Sequence, residues 1–244
     1  MKYIQPYLMQ DESSASQYSV ADLEDFYSLE NSPSAGAPVN SLQYEHVKRG
    51  LDVLCASIML LVFAAPGLMI AAAIKLTSRG PVFYREERIG RGGRPFQIWK
   101  FRSMCMNAEV LGRAVNPLPG GKTVHRRMHK HLPDSRITGI GRILRQWSLD
   151  ELPQLLNVLR GEMSLVGPRP IVEVETAFYK DLLGFYLSAK PGLSGLWQVS
   201  GRSNVGYESR VMLDAMYVQT WSLRGDLKIL LRTIPVVLRR VGAH

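Results

Sequence analysis

The chain has 244 residues, 46% of them hydrophobic, which excludes a wholly disordered protein and allows one sizeable core. Its net charge of +9 points to anionic partners: nucleic acid, phosphorylated ligands or an acidic membrane face. Two cysteines, Cys55 and Cys105, exclude a disulfide framework or a four-cysteine zinc site, and a reducing compartment is the simpler reading.

Residues 1–45 hold seven acids and one base, and "NSPSAGAPVNS" reads as linker, so this stretch is expected to be an acidic flexible leader. A short amphipathic helix around "VADLEDFYSLE" is allowed, and no basic stretch leads into an apolar run as a secretory signal would. Residues 46–244 carry 29 bases and 14 acids and form the second unit, a basic body. From Val53 to Ile74 there is no charge, and 22 residues at ~1.5 Å each reach about 33 Å, enough to cross a bilayer core. Pro66 interrupts this run, and both flanks are basic: Lys48 and Arg49 before it, Lys75, Arg79, Arg85 and Arg88 after it. A re-entrant helix that breaks at Pro66, a spanning helix and a buried core helix all remain open on these residues.

"GPVFYREERIGRGGRPFQIWKFRSM" predicts a β-hairpin, Pro81–Arg88 against Pro95–Phe101, with Gly90, Gly92 and Gly93 in the turn. Period two puts Lys100 and Arg102 on one face of its second strand. Residues 107–134 read as a basic loop; His125, His129 and His131 have no acid or cysteine beside them, so a solvated or phosphate-facing segment is expected over a zinc site. Two helical segments are predicted to meet near Ser148, the second stopping at Gly161. Another helix is expected over 171–189 with Glu173, Glu175, Lys180 and Asp181 on its wet face, then a glycine-rich loop with Trp197, Gln198 and Arg202. A helix over Tyr207–Thr220 follows, and "DLKILLRTIPVVLRR" has the composition of a helix lying on an anionic membrane or docked on the core. Together these elements read as an α+β chain, mostly helical.

The stretch "SLDELPQLLNVLRGEMSLVGPRP" carries two readings. Ser148-x-x-Glu151 is a capping box, with Asp150 favouring the helix dipole. Equally, two adjacent carboxylates can hold Mg²⁺, and a carboxylate can attack phosphorus to give an acyl phosphate. Arg169 stands in the rigid "GPRP" turn, and Arg142, Arg145, Lys100 and Arg102 supply further cations, the arrangement phosphoryl chemistry needs. Trp197 is either a stacking platform for a base or sugar, or core. No P-loop occurs, and "GRGGRP" does not fit the dinucleotide fingerprint.

In order, "KRGLDV", the apolar run with Pro66, "IKLTSRGPVFY", "RIGRGGRPFQIWKFRSM", "SLDELPQLLNVLRGEMSLVGPRP", "KPGLSGLWQVSGR" and "LDAMYV…DLKILLRT" resemble the bacterial sugar transferases that act as monotopic polyprenyl-phosphate phosphoglycosyl transferases. The resemblance covers roughly residues 46–235. It implies a membrane-associated domain over 46–244 with a re-entrant helix–break–helix at 47–76, Pro66 at the break, a small hairpin and interfacial amphipathic helices. It implies transfer of a hexose-1-phosphate, galactose or glucose, from a UDP-sugar to undecaprenyl phosphate with release of UMP, the first membrane step of exopolysaccharide or O-antigen synthesis. Asp150 would be the nucleophile of a covalent phosphosugar-aspartate, and Glu151 would assist it or join it in holding Mg²⁺. Arg145, Arg169, Lys100 and Arg102 would hold phosphates, and Trp197, Gln198 and Arg202 the nucleotide sugar. The place would be the cytoplasmic face of a bacterial inner membrane, with its lipids as partners, no nucleic acid, and a homo-oligomer allowed. The sequence departs from many relatives at the break, where Ala65 replaces a serine before Pro66, and residues 1–45 do not match the extra spans of the large relatives. Two other readings differ in product: a membrane-anchored basic binding module would release no nucleotide, and a transferase of the sugar alone would release UDP.

Overall fold

The computed structural model describes residues 42–106, 108, 136–202 and 205–240. Most of the acidic leader and the 107–134 loop with its three histidines lie outside these residues.

The apolar run is two helices, α1 (Leu42–Val62) and α2 (Ala64–Thr77), bent by 60° at Phe63. Pro66 is the third residue of α2, inside the first turn, where a backbone donor has no intrahelical acceptor in any case. Phe63 N donates to Met59 O and Gly67 N to Phe63 O, both at 2.8 Å, so backbone bonds continue on each side of the bend. The break therefore stands without the serine hydroxyl that Ala65 lacks. No single described helix is long and apolar enough to cross a membrane, whereas the bent pair passes the test together. Leu54, Ile58, Leu61, Leu68 and Met69 are exposed along it.

Both arms of the pair are fastened to one folded body. On α1, Lys48 pairs with Asp226, Arg49 donates to the carbonyls of Val158 and Leu159, and buried Asp52 accepts from Ser164 Oγ and Leu165 N at 3.1 and 2.9 Å. At the far end of α2, Ser78 O accepts from Arg102 at 2.9 Å, and Ile74 packs with Phe101 and Leu144.

The hairpin forms as predicted, β1 (Phe83–Ile89) antiparallel to β2 (Pro95–Phe101), with Gly92 and Gly93 at positive φ in the turn. Its free edge is covered by a side chain. Asn157 accepts from Trp99 N at 3.1 Å and donates to Gln97 O at 2.8 Å, imitating one residue of a neighbouring strand. Asn157 belongs to α4 (Leu155–Arg160), which Gly161 ends in the left-handed region as expected. Before it come α3 (Gly139–Gln146), capped by Thr138, and a 3-10 helix over Leu149–Gln154.

After α4 the chain departs from expectation twice. Residues 171–189 are not one helix but short turns, among them α5 (Thr176–Tyr179) and α6 (Leu183–Ser188), because Lys180 takes φ 45° between them. Glu175, expected on the wet face, is buried. The glycine-rich stretch is ordered too: β3 (Ser164–Val166) pairs in parallel with β4 (Gly192–Ser194), and α7 (Leu196–Val199) follows. Two helices close the core, α8 (Tyr207–Gln219) and α9 (Leu223–Leu238). On α9, Ile229 and Val236 point inward while Leu227, Leu231, Ile234 and Leu238 form an exposed stripe at helical spacing. The molecule is mostly helical with a small antiparallel sheet.

Candidate active site

The capping box does not form. Pro153 lacks the N–H that an α-helix starting after Ser148 would use, and the segment winds as a 3-10 helix instead. To enter it from α3, Ser148 adopts φ 55°, ψ 22°, and its side chain caps nothing. The reversal places Asp150 and Glu151 in the first turn, facing the hairpin. Lys100 Nζ lies 3.0 Å from Glu151 Oε1. This contact is 51 residues long in sequence and depends on Asn157 locking β2 beside the 3-10 helix.

Arg169 is brought in by the Gly167–Pro170 turn, which is pinned on several sides. Gly167 N donates to Ser194 O at 2.9 Å, Gly192 N donates to Pro168 O at 2.7 Å, and Arg88 Nη1 donates to Pro170 O at 3.3 Å. The turn lies close against β4: a Cβ on Gly192 would sit 2.1 Å from Gly167 N. The Arg169 guanidinium packs 5.0 Å from the Trp197 ring centre, and Arg210 packs 5.3 Å from the same ring. Arg210 is itself paired with Glu175, at 3.5 Å, and Arg88 stands 3.9 Å from the same carboxylate.

A small cleft opens among Arg88, Lys100, Glu151, Gln154, Arg169 and Gln198. Asp150 is 9% exposed and stands beside this lining rather than in it. The two acids differ in basicity. Burial raises the Asp150 pKa and the Glu151 charge adds to it, while Lys100 and Arg145 pull it down. Burial also works to raise Glu151, but Lys100, Arg169 and Arg202 overcome it and hold Glu151 at about 2. One carboxylate is thus a fixed anion and the other is more basic, with four cations, Lys100, Arg145, Arg169 and Arg202, acting on them.

Of the residues predicted from sequence, Asp150, Glu151, Lys100, Arg169 and Gln198 come together here, and the charge of Arg145 reaches Asp150. Arg202 meets both acids electrostatically and donates to Ser148 Oγ at 3.1 Å. Trp197 is not an open platform: it is buried, with a guanidinium held against its ring by both Arg169 and Arg210. Arg102 is not at the acids. β2 ends at Phe101, the alternation ends with it, and Arg102 is buried with its guanidinium on Ser78 O and Oγ at 2.9 and 2.6 Å. Sequence reasoning missed Arg88 and Gln154. Gln154 is 2% exposed, and its amide nitrogen has no hydrogen-bond partner among the described residues. The signal for it was position, one 3-10 turn beyond Glu151.

Among the described residues no three His, Cys, Asp or Glu side chains gather as a metal cage. The adjacent carboxylates still fit Mg²⁺, which commonly takes one or two carboxylates and completes its shell with waters and substrate phosphates.

The family model described as bacterial sugar transferase matches residues 43–240. The undecaprenyl-phosphate galactose phosphotransferase of Salmonella typhimurium is 50% identical over 200 residues, 81% of this chain and 42% of that protein. The exopolysaccharide production protein ExoY of Rhizobium meliloti is 48% identical over 81% of this chain and 88% of its own length. The UDP-glucose:undecaprenyl-phosphate glucose-1-phosphate transferase of Caulobacter vibrioides is 43% identical over 86% of this chain and 76% of its own. The chain thus spans less than half of the Salmonella relative and most of the other two.

Proposed function

The chain belongs to the bacterial sugar transferase family, and from that premise we propose that it transfers a hexose-1-phosphate, galactose or glucose, from a UDP-sugar to undecaprenyl phosphate in exopolysaccharide synthesis. The observation that carries the reading is the pairing of a buried, more basic carboxylate, Asp150, with a charge-locked one, Glu151, among Lys100, Arg145 and Arg169. An Asp150 oxygen attacks the phosphorus that bears the sugar, the bond to the UMP oxygen breaks, and a phosphosugar-aspartate forms. A phosphate oxygen of undecaprenyl phosphate then attacks the same phosphorus and the aspartyl oxygen leaves, restoring Asp150. Arg169, Arg88 and Lys100 neutralise phosphate charge, and the pinned "GPRP" turn holds Arg169 in one direction, so little reorganisation is needed during transfer. Mg²⁺, held by Asp150 and Glu151, would neutralise diphosphate charge. Gln198 and Arg202 are assigned to the nucleotide sugar, Arg202 at the transferring phosphate, where it acts on both acids.

Membrane attachment follows the same reading. We place the bent α1–α2 pair in the cytoplasmic leaflet as a re-entrant anchor. Support comes from both its arms being hydrogen-bonded to one body, with the apolar break projecting from it. The exposed stripe of α9 would lie in the interface, so that the lipid phosphate meets the soluble donor at Asp150.

The test uses purified protein in detergent with Mg²⁺ and undecaprenyl phosphate, given UDP-galactose and UDP-glucose separately. UMP release by the wild type, reduced at least ~10³-fold in Asp150→Asn, is the expected result. UDP as the product would mean transfer of the sugar alone and would overturn the reading.

A further inference from the structure

Ser148 belongs to the family motif stretch but has no role in the chemistry above, and the cap it was expected to make is absent. It is a non-glycine residue at φ 55°, a conformation L side chains adopt rarely. Arg202, its hydrogen-bond partner across 54 residues, is also at positive φ, 53°, directly after Gly201 at φ 123°. Two unfavourable backbone conformations thus meet through one side-chain bond, Arg202 Nη2 to Ser148 Oγ at 3.1 Å. Such conformations persist where the surroundings hold them, and they gather at working sites. The other flank of Ser148 is held as well: Trp147, which ends α3, has the Arg240 guanidinium 4.2 Å from its ring centre.

We infer that Ser148 is a positioning residue, whose hydroxyl ties the Gly201–Arg202 turn to the 3-10 helix and thereby sets both Arg202 and Asp150 for transfer. The inference rests on the function proposed above. The bond ties two elements that lie 54 residues apart in sequence. The left-handed turn at Ser148 decides where Asp150 points two residues later. The hydroxyl, a neutral acceptor, orients a cation toward Asp150 and Glu151 without neutralising it, as a carboxylate at position 148 would. With the bond lost, Arg202 keeps its charge but not its direction. The rate of the chemical step then suffers more than donor binding, since Lys100, Arg88 and Arg169 still hold phosphates.

Three substitutions separate the bond from the backbone. Ser148→Gly accepts positive φ and has no acceptor. Ser148→Asn also tolerates positive φ and brings an amide oxygen. Ser148→Ala has neither property. Nucleotide release is measured for each with saturating donor and by KM, with thermal unfolding to confirm folding. Ser148→Gly is expected to lower kcat ~10-fold with KM within about twofold, and Ser148→Asn to recover most of that loss. Ser148→Ala is expected to be the slowest and the least stable. A Ser148→Gly enzyme as fast as wild type overturns the inference alone, since only the backbone conformation would then matter. So does a Ser148→Asn enzyme no faster than Ser148→Gly. A wild type that releases no nucleotide overturns the function and this inference together.

Discussion

At the scale of residues, the proposed mechanism turns on the charge state of Asp150. As a nucleophile it must be ionised, and burial together with Glu151 raises its pKa above the ordinary 3.8 while Lys100 and Arg145 lower it. Lys100 also holds Glu151 down at about 2. Replacing Lys100 by Met removes a lowering influence from both acids, so both pKa values rise. The acid limb of the kcat/KM profile, measured from about pH 4 to 8, should move to higher pH, with a fall of ~10- to 100-fold at the optimum. An unmoved limb would mean that Asp150 does not titrate in that limb. Lys100 and the acids were visible in the sequence as residue types, but their pairing was not, because 51 residues separate them and the Asn157 staple and the packing of Phe101 with Leu149 and Leu152 bring them together. Arg102 was misplaced by extending the strand alternation one residue past its end. Trp197 was one of two open readings, and burial between two arginines decided it.

At the scale of elements, local turn chemistry was legible and reversals of direction were not. The hairpin and the stop at Gly161 follow from glycines whose positive φ the backbone needs. The Ser148 cap failed because Pro153 forbids the helix it would have started, and the 171–189 helix failed because Lys180 turns left-handed with no glycine to announce it. The parallel pair β3–β4 was hidden, since three-residue strands carry no periodicity. That pair is what aims Arg169. A Cβ added to Gly192 would lie 2.1 Å from Gly167 N and 2.3 Å from Ser194 O, backbone atoms that cannot yield without parting the strands. Gly192→Ala should destabilise the fold by about 2–3 kcal/mol and lower the melting temperature, with activity falling further as the "GPRP" turn shifts. Gly184→Ala, where a Cβ meets nothing within 4 Å, is the matched control and should melt like the wild type. Equal melting of the two variants would show that the β3–β4 contact is loose in solution.

At the scale of the whole molecule, the question is how a bent apolar pair and a charged active site share one body. The basic flanks of the apolar run were read as a cytoplasmic signal; in the structure two of them, Lys48 and Arg49, fasten α1 to the body. Lys48 is paired to Asp226 at the start of α9, and Arg49 covers the carbonyl end of α4, where a helix presents partial negative charge. α1 therefore leaves the body at a fixed angle, and α2 returns to the same body, where Arg102 receives Ser78. A pair that crossed the bilayer would have to tear one of these ends free, leaving Asp226 with Tyr217 and Trp221 but without its cation, or buried Arg102 without Ser78. Breaking such buried polar contacts costs about 3–5 kcal/mol, which opposes a crossing arrangement. Two exposed positions report the outcome, His46 near the start of α1 and Arg79 just beyond α2. With Cys55 and Cys105 replaced by serine, His46→Cys and Arg79→Cys should each react with a membrane-impermeant maleimide in inside-out vesicles and neither in intact spheroplasts. Labelling of the two positions from opposite faces would establish a crossing helix. It would also separate the candidate cleft from one of the fasteners that hold the bent pair to it.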